Sequence, residues 1–453
     1  MSKNVATGSQ GGRVNRRWLV WALGAAILVA AFAMGAATLR GPQVDALVVQ
    51  SAPLVRTLQF SARVATLSRV DVGSTVTGRV AEVRVLEGAA VRAGDVSKIQ
   101  FSSVTTGAPT GEMITHRGTL NNARLFGLRA GFRPGDRMVT AMPFFHTAGN
   151  VLDVLGLLAH GGTLVKAVQF DPLKLLQLVE QERATILHGV PTMLIAMLQH
   201  PQAAEFDTRS LRLVLSGGTP IPVPVLEQVK RQFGADPVIG FGMTEASPMV
   251  TGTPASDSFE LKSATVGKPL AHVSVQIVDV NNQPVALGQV GELLVKGFGV
   301  MKGYYRMPEK TTEAIDADGW LHSGDLATMD AAGYIRIAGR IKDMIIRGGE
   351  NVYPAEVESF LMRHPAIKQA QIVGIPDPYM GEEAAAFIQT REGHTLSAAE
   401  VEAYCRANIS RHKLPKYIRF VDTYPLTPSG KVKKFDLRDQ LVAALKEEES
   451  HLA

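Results

Sequence analysis

The chain has 453 residues, too many for one ordinary hydrophobic core, and its length predicts two to four domains. Hydrophobic residues make up 46% and charged residues 20%, a balance that excludes wholesale disorder. The net charge of +5 lies entirely in residues 1–97, where 11 Lys and Arg stand against 5 Asp and Glu. The remainder has 36 against 37, so nucleic acid is not expected as a partner. The lone cysteine, Cys405, excludes an internal disulfide and is typical of a cytosolic protein.

A basic tail, residues 1–17, precedes an uncharged apolar run at residues 18–39. As a helix this run would span about 33 Å, enough for a hydrocarbon core of about 30 Å. Arg13, Arg16 and Arg17 come directly before it, so the positive-inside rule keeps the tail in the cytoplasm. We therefore predict a single-pass inner-membrane anchor at residues 18–39. A cleaved signal peptide and a buried core helix are the alternatives.

Residues 40–96 form a separate segment, in which residues 64–91 alternate polar and apolar positions and are rich in Val, Thr and Gly. This pattern predicts short strands joined at Gly73, Gly78 and Gly88. Residues 78–95 resemble the first half of a lipoyl-type unit. With the anchor before it, this segment resembles the start of an efflux periplasmic adaptor (membrane fusion) protein. The helical hairpin, second lipoyl half and β-barrel of that family do not follow, so efflux-pump partners are not expected.

From about residue 98 onward, strand-like and helix-like segments alternate, which predicts a layered α/β fold with mainly parallel strands. The predicted strands are Arg137–Ala141, Thr163–Ala167, Ala184–His188, Leu211–Leu215 and Pro237–Phe241, and the helices include Pro172–Arg183 and Pro224–Phe233. Residues 272–296 predict an antiparallel β subdomain with a turn at the Asn-Asn-Gln-Pro sequence.

Several motifs occur in one order along this region. They are SSVTTGAPTG (102–111), PFFHTAG (143–149), SGGTP (216–220), GFGMTEAS (240–247), GYY (303–305), GWLHSGDLATMDAAGYIRIAGRIKDMI (319–345), GGENVYPAEVE (348–358) and PLTPSGKVKK (425–434). In this order and at this spacing they resemble the adenylate-forming acyl-CoA synthetases, most closely medium- and long-chain fatty-acid:CoA ligases. The resemblance implies an N-terminally truncated large AMP-binding domain at residues 98–340 and a small, mobile α+β C-terminal domain at residues 341–453.

The resemblance further implies that a fatty acid, ATP and the co-substrate CoA react through an acyl-adenylate. Charge spreads over phosphate oxygens in that reaction, so backbone N–H groups, hydroxyls, a cation and Mg²⁺ are needed. Small residues let the backbone approach phosphates closely. The phosphates would be bound by Ser103, Thr105, Thr106 and Gly107. The nucleotide base would lie beside Gly217, Gly218, Gly240, Phe241 and Gly242, and its ribose would contact Asp325 and Arg340. Gly348 and Gly349 would lie on the thioester-forming face. Thr244 would contact the α-phosphate, and Glu245, with Thr105, would hold Mg²⁺.

Three residues have implied roles beyond nucleotide binding. Lys431 matches the catalytic lysine that neutralises charge between the carboxylate and the α-phosphate, although a lone loop lysine is ordinarily a solvated surface residue. Lys342 matches the hinge, about which the C-terminal domain would rotate between the two half-reactions. His146 either gates the acyl site together with Phe144 and Phe145 or is a packed core histidine.

The sequence departs from the family pattern in three respects. Val104 replaces a glycine of the phosphate loop and Thr110 replaces its lysine, so we expect weaker phosphate stabilisation. The residues that precede this loop in the family are replaced by the anchor segment. An outward-facing anchor also conflicts with a ligase portion that is cytoplasmic by ancestry. We therefore expect a fusion of two coding fragments, with its junction near residues 96–101.

Three functions follow from these observations as alternatives. The first is a fatty-acid:CoA ligase with impaired activity. The second is a membrane-anchored efflux adaptor fragment fused to an inactive ligase remnant. The third is a related adenylating enzyme that acts on an aryl acid or loads a carrier protein.

Overall fold

The computed structural model describes residues 16–39, 90–101, 110–427 and 430–452. Two compact units divide the chain, residues 1–71 and 72–453, and helix α1 (Arg16–Leu39) belongs to the first. The described helices of the second unit are α2 (His116–Ala130), α3 (Gly156–His160), α4 (Pro172–Gln181), α5 (Pro191–Leu198), α6 (Val223–Gln228), α7 (Phe259–Ala264), α8 (Pro308–Ala314), α9 (Pro354–Leu361), α10 (Ala398–Asn408) and α11 (Lys434–Leu452). Its described strands are β1 (Val96–Phe101), β2 (Gly111–Thr115), β3 (Arg137–Thr140), β4 (Thr163–Lys166), β5 (Ile186–His188), β6 (Leu213–Gly217), β7 (Asp236–Gly242), β8 (Met249–Gly252), β9 (Lys268–Pro269), β10 (Val273–Val278), β11 (Gly291–Gly297), β12 (Leu321–Met329), β13 (Ile335–Arg340), β14 (Ile345–Arg347), β15 (Glu350–Val352), β16 (Ile367–Asp377), β17 (Gly381–Thr390) and β18 (Tyr417–Phe420).

Helix α1 contains the apolar run predicted at residues 18–39, and its Trp18, Trp21 and Phe32 side chains are exposed. Across the part of the chain that the structure describes, no helix has both the length and the apolar character needed to span a membrane. The predicted anchor, and with it the membrane localisation and the membrane partner, therefore has no support in the structure. Of the adaptor-like segment predicted at residues 40–96, everything before residue 90 lies outside the described residues.

The largest sheet has seven strands in the order β4-β3-β5-β6-β7-β8-β9. Its first five strands are parallel, and β8 and β9 continue it in antiparallel pairing. Adjacent residues of one strand belong to opposite cores: Leu187 packs with Leu175 of α4, and Ile186 packs with Phe126 of α2. Because helices cover both faces, the strands are continuous apolar runs. The layered, mainly parallel sheet predicted from the sequence is confirmed.

The amino ends of three parallel strands are tied together by Asp136, a buried residue directly before β3. Its carboxylate accepts hydrogen bonds from the backbone N–H of Arg133 (2.7 Å), from Thr185 Oγ1 (2.8 Å) and from the guanidinium of Arg212. Thr185 precedes β5 and Arg212 precedes β6. This network therefore aligns the starts of β3, β5 and β6.

Strands β10 to β13 form a four-stranded antiparallel sheet, which confirms the β subdomain predicted from residues 272–296. At the predicted turn, Asp279 Oδ1 accepts hydrogen bonds from the backbone N–H groups of Asn281 (2.8 Å) and Gln283 (2.9 Å). The pairing of β12 with β13 places Asp325 opposite Arg340. Two residues far apart in the predicted motif thus become neighbours.

The C-terminal sheet has the order β15-β14-β17-β16, with β18 parallel to β17. One of its faces is covered by Val357 of α9 and Val401 of α10, and the other by Leu437 and Leu441 of α11. This α+β arrangement agrees with the expectation for residues 341–453. The domain boundaries themselves stay a prediction.

Strands β1 and β2 form an antiparallel pair in which Phe101 lies opposite Gly111. The predicted phosphate loop connects them, and residues 102–109 lie outside the described residues. The structure therefore leaves the following residues untested: Ser103, Val104, Thr105, Thr106 and Gly107.

We expect Asp136→Ala to lower the free energy of unfolding by about 3 kcal/mol, because Arg212 would lose its counter-ion beside a buried sheet. Urea unfolding followed by circular dichroism measures this loss. Asp207→Ala is the matched control, since Asp207 pairs with Arg209 at the surface, and we expect its urea midpoint to be unchanged. Equal midpoints for wild type and Asp136→Ala would contradict the tying role of Asp136.

Candidate active site

The carboxyl ends of β6 and β7 lie side by side and are formed by glycines. Gly217 pairs with Gly240, and a Cβ atom at Gly217 would lie 2.6 Å from the Gly240 carbonyl oxygen. A Cβ atom at Gly240 would lie 2.1 Å from Cε of Met249. Gly218 follows with a φ of +82°, which favours glycine. The predicted nucleotide-binding residues Gly217, Gly218 and Gly240 therefore lie at one edge of the sheet, where close neighbours leave no room for a side chain at Gly217 or Gly240.

Lys431 reaches this edge from the C-terminal part of the chain. A Cβ atom at Gly218 would lie 3.3 Å from Lys431 Cε and 3.6 Å from its Nζ. Thr192 Oγ1 donates a hydrogen bond to the Gly430 carbonyl at 3.0 Å, and Thr427 Oγ1 accepts one from the Lys431 N–H at 3.0 Å. Glycine at position 218 thus leaves room for the Lys431 side chain, and Thr192 holds the loop that brings it there.

Three predicted site residues interact electrostatically with the Lys431 ammonium: Arg340, Asp325 and Glu245. Burial lowers the pKa of Lys431, and the charge of Arg340 lowers it further, whereas the carboxylates of Asp325 and Glu245 oppose the shift. Lys431 is therefore not the solvated loop lysine that was the alternative. Its buried charge needs anionic partners, which is the property expected at a site for phosphate and carboxylate groups.

Asp325 is 4% exposed, and only one of its carboxylate oxygens is engaged. Oδ1 accepts a hydrogen bond from Arg340 Nε at 3.1 Å, while Oδ2 is buried without a partner among the described residues. Burial raises the pKa of Asp325, and the charges of Arg340 and Lys431 oppose the rise. An unpaired buried acceptor is costly, so this oxygen fits a ligand that supplies a donor, such as a ribose hydroxyl.

Thr244 and Glu245 lie in a short 3₁₀ turn that follows Phe241 and Gly242 at the end of β7. The hydroxyl of Tyr304 donates a hydrogen bond to Glu245 Oε1 at 3.0 Å. Burial raises the pKa of Tyr304, and the charge of Glu245 raises it further, so the phenol keeps its proton. The sequence analysis missed this contact. The GYY motif includes Tyr304, but the spacing of motifs along the sequence does not show that Tyr304 contacts Glu245, which is 59 residues away.

Thr110, which stands where the family has lysine, is buried and donates a hydrogen bond to Glu112 Oε1 at 2.7 Å. Glu112 is fully buried, and its backbone forms a bridge with that of Tyr304. Position 110 thus supplies a hydroxyl to a neighbouring carboxylate. The acyl-CoA synthetases that the sequence resembles have a positively charged, phosphate-binding lysine at this position, whereas Thr110 has a neutral hydroxyl that bonds a carboxylate.

His146 lies half-buried in the loop after β3. Its Nδ1 accepts a hydrogen bond from the Ala148 N–H at 3.1 Å. Burial, followed by the charges of Lys431 and His188, lowers the pKa of His146 to about 4. The imidazole is therefore neutral at pH 7. It lies within the electrostatic reach of Lys431, and its gating role stays a prediction.

Lys342 lies exposed in the 3₁₀ turn Ile341–Asp343, which connects β13 with β14 as a hinge would. Gly348 and Gly349 form the turn between β14 and β15 with φ angles of +58° and +86°. Two-residue hairpin loops favour this conformation. The role of Gly348 and Gly349 on the thioester-forming face stays a prediction.

Of the predicted magnesium ligands, Glu245 lies in the described part of the chain and Thr105 does not. The described residues contain no group of three or more His, Cys, Asp and Glu side chains that could hold a metal ion. A single carboxylate still fits Mg²⁺, because this ion is usually held by one or two carboxylates together with substrate phosphates and water.

Two family matches cover most of the chain. The AMP-binding enzyme family matches residues 20–305, and the AMP-binding enzyme C-terminal domain matches residues 356–431. Residues 40–96, predicted to resemble an efflux adaptor, lie within the first match, and that resemblance is not shown by these comparisons.

Two relatives and one solved structure agree with these matches. YngI of Bacillus subtilis (strain 168) is 46% identical over 350 residues, covering 77% of this chain and 64% of YngI. The medium-chain acyl-CoA ligase ACSF2 of Mus musculus is 39% identical over 359 residues, covering 78% of this chain and 58% of ACSF2. ATP-bound MatB from Rhodopseudomonas palustris superposes with a TM-score of 0.73 at 33% identity, covering 78% of this chain and 69% of MatB. The chain thus spans less than two thirds of the length of either relative, and it belongs to the AMP-binding enzyme family.

Proposed function

We propose that the chain activates a medium- or long-chain fatty acid with ATP and transfers the acyl group to CoA. The observation that carries this proposal is the position of the Lys431 ammonium next to Gly218, where its charge interacts with the carboxylates of Asp325 and Glu245. A cation buried at a glycine-rich edge suits a reaction in which a carboxylate attacks a phosphate.

The nucleotide would lie along the carboxyl ends of β6 and β7. Gly217, Gly218 and Gly240 would bring backbone without side chains next to a flat base, and Asp325 Oδ2 would accept hydrogen bonds from the ribose hydroxyls. Thr244, in the 3₁₀ turn that follows β7, would donate its hydroxyl to the α-phosphate. This assignment accounts for the buried Asp325 oxygen that has no partner among the described residues.

Glu245 would hold Mg²⁺, with Tyr304 fixing its carboxylate through the 3.0 Å hydrogen bond. When bound there, the ion would neutralise phosphate charge. Lys431 would act without transferring a proton: its positive charge would draw the acid's carboxylate and the α-phosphate together and stabilise the charge that develops between them. Rotation at Lys342 would then withdraw Lys431 and bring Gly348 and Gly349 in for the thioester step.

The proposal is tested by exchange of radiolabelled pyrophosphate into ATP over a panel of aliphatic acids of increasing length and a set of aryl acids. We expect exchange with medium or long aliphatic acids, and acyl-CoA formation when CoA is added. Exchange with aryl acids alone, or transfer of the acyl group to a carrier protein rather than to CoA, would instead indicate a related adenylating enzyme. Exchange with none of the acids would contradict an active ligase.

We expect Lys431→Met to slow this exchange about 100-fold, because the transition state would lose a preorganised positive charge. Lys433→Met is the matched control, since Lys433 lies two residues away, is partly exposed and faces Asp436 at 3.7 Å. The control should keep the wild-type rate. A Lys431→Met rate within a factor of about two of wild type would rule out the proposed role.

We expect the altered phosphate loop to slow adenylation by about tenfold to a hundredfold. The double variant Val104→Gly, Thr110→Lys should recover part of this rate, because it restores a glycine and a positive charge. The urea unfolding midpoint of the double variant shows whether the protein tolerates loss of the buried Thr110–Glu112 hydrogen bond. A correctly folded double variant with an unchanged exchange rate would show that the loop does not limit the reaction.

His146 predicts a dependence of stability on pH. Because its folded-state pKa of about 4 lies below the ordinary value of 6.5, protons bind the unfolded chain first as the pH falls. The free energy of unfolding should therefore decrease between about pH 6.5 and about pH 4, by up to about 3 kcal/mol. Urea titrations across this range measure the decrease, and His146→Gln should remove it.

The exposed His394 gives the control for this measurement. His394→Gln should keep the pH profile of the wild type. An identical profile for wild type and His146→Gln would contradict the depressed pKa of His146.

A further inference from the structure

A buried histidine lies between the nucleotide-binding strand and the loop that contains His146. His188 is the last residue of β5, and its neighbours in register are Thr140 at the end of β3 and Leu215 of β6. β6 continues into the glycines assigned to the adenine, while β3 continues into the His146 loop. His188 therefore lies at the same edge of the sheet, one strand beyond β6, where the acyl part of the substrate would lie under the proposed function.

His188 is paired with Asp153, a residue of the π-helical segment Ala148–Leu155 that follows the His146 loop. Its Nδ1 lies 2.5 Å from Asp153 Oδ1, and the two residues are 6% and 0% exposed. The second oxygen, Asp153 Oδ2, is buried and has no hydrogen-bond partner among the described residues. A buried acceptor in this state is costly, and a ligand that supplies a donor would remove the cost.

The surroundings of this pair are mostly apolar. A small core cluster of Met142, Val190 and Met193 lies on the same connections, after β3 and after β5. Apolar surroundings with one polar pair would suit an acyl chain that carries one polar group, because the polar pair would select among otherwise similar ligands. A purely hydrocarbon tail would leave the Asp153 oxygen unpaired.

Nearby cations favour a neutral donor over an ammonium group. The Lys166 ammonium donates to the Ala167 carbonyl at 2.5 Å and lies 5.5 Å from the centre of the Phe144 ring, so its hydrogen bond goes elsewhere than to Asp153. Its charge and that of Asp153 nevertheless interact. Lys431 adds a second positive charge at the same edge, and a substrate ammonium would meet both.

We propose that Asp153 and His188 form a specificity subsite for a carboxylic acid whose acyl chain bears a hydroxyl group, with the hydroxyl donating to Asp153 Oδ2. This inference rests on the proposed function and narrows its substrate class. A purely structural pair, which only holds the Ala148–Leu155 segment to the sheet, would give no preference for hydroxylated acids.

Isothermal titration of the full chain, with ATP and Mg²⁺ absent, measures the affinities for octanoate and for octanoates hydroxylated singly along the chain. We expect at least one hydroxylated isomer to bind about tenfold more tightly than octanoate, because a hydrogen bond to a charged group is gained. A methoxy analogue of that isomer, which cannot donate, should lose the preference.

Asp153→Leu should abolish the preference for the hydroxylated acid. Asp153→Asn, which keeps an acceptor for His188, should reduce this preference several-fold. If the leucine variant does not fold, the asparagine variant decides the test. Asp257→Asn is the matched control, because Asp257 also has one buried oxygen without a partner among the described residues and bonds Tyr334 away from this edge. It should keep the full preference.

Octanoate binding at least as tight as that of every hydroxylated isomer would overturn the subsite, and so would a preference that survives in Asp153→Leu. Failure of every acid to bind would overturn the subsite, whereas the proposed function is decided by pyrophosphate exchange. Pyrophosphate exchange separates the two ideas: a binding preference without exchange keeps the subsite and removes the ligase activity, whereas exchange without preference does the reverse.

Discussion

The parallel pairing of β3, β5, β6 and β7 is the constraint on which the candidate site depends. Parallel strands bring their carboxyl ends to one edge of a sheet, and at this edge the chain places His146, His188, Gly217 and Gly240 in strand order. Helices on both faces make the parallel arrangement stable, because they bury strands that are apolar on both sides. The amino ends are occupied by the Asp136 network, so structural polar groups and site groups lie at opposite edges.

The charges at this edge depend on one another. The charge of Arg340, whose side chain is 57% exposed, opposes the charge of Lys431, and the carboxylates of Asp325 and Glu245 offset the charge of Lys431. Without these carboxylates, the Lys431 ammonium would be costly to bury. The arrangement exists because the loop with Lys431 packs on Thr192 and over Gly218, a contact between segments more than 200 residues apart in sequence. Electrostatics and the position of the C-terminal loop are therefore coupled.

Much of the fold was predictable from local pattern. The buried strands appear as short β-branched and leucine-rich runs, and the antiparallel subdomain follows from alternation and its Asp279 turn. Two site contacts between residues distant in sequence were not predictable: Tyr304 with Glu245 and Asp153 with His188. The sequence analysis also missed the contact of Thr110 with Glu112, two residues further along the chain. For Thr110 the family comparison predicted a lost phosphate contact, and the structure adds that its hydroxyl is used by a buried carboxylate.

The sequence by itself determined the order of strands and helices, the family and the identity of the residues available for chemistry, because these depend on local periodicity and on motif spacing. Only the tertiary structure decided which of those residues share an environment. Burial and nearby charges lower the pKa of Lys431 and of His146. Packing also leaves one carboxylate oxygen of Asp325 and one of Asp153 without a hydrogen-bond partner among the described residues. The physical reason is that desolvation and charge–charge energies depend on distance in space, and separation along the chain does not specify that distance.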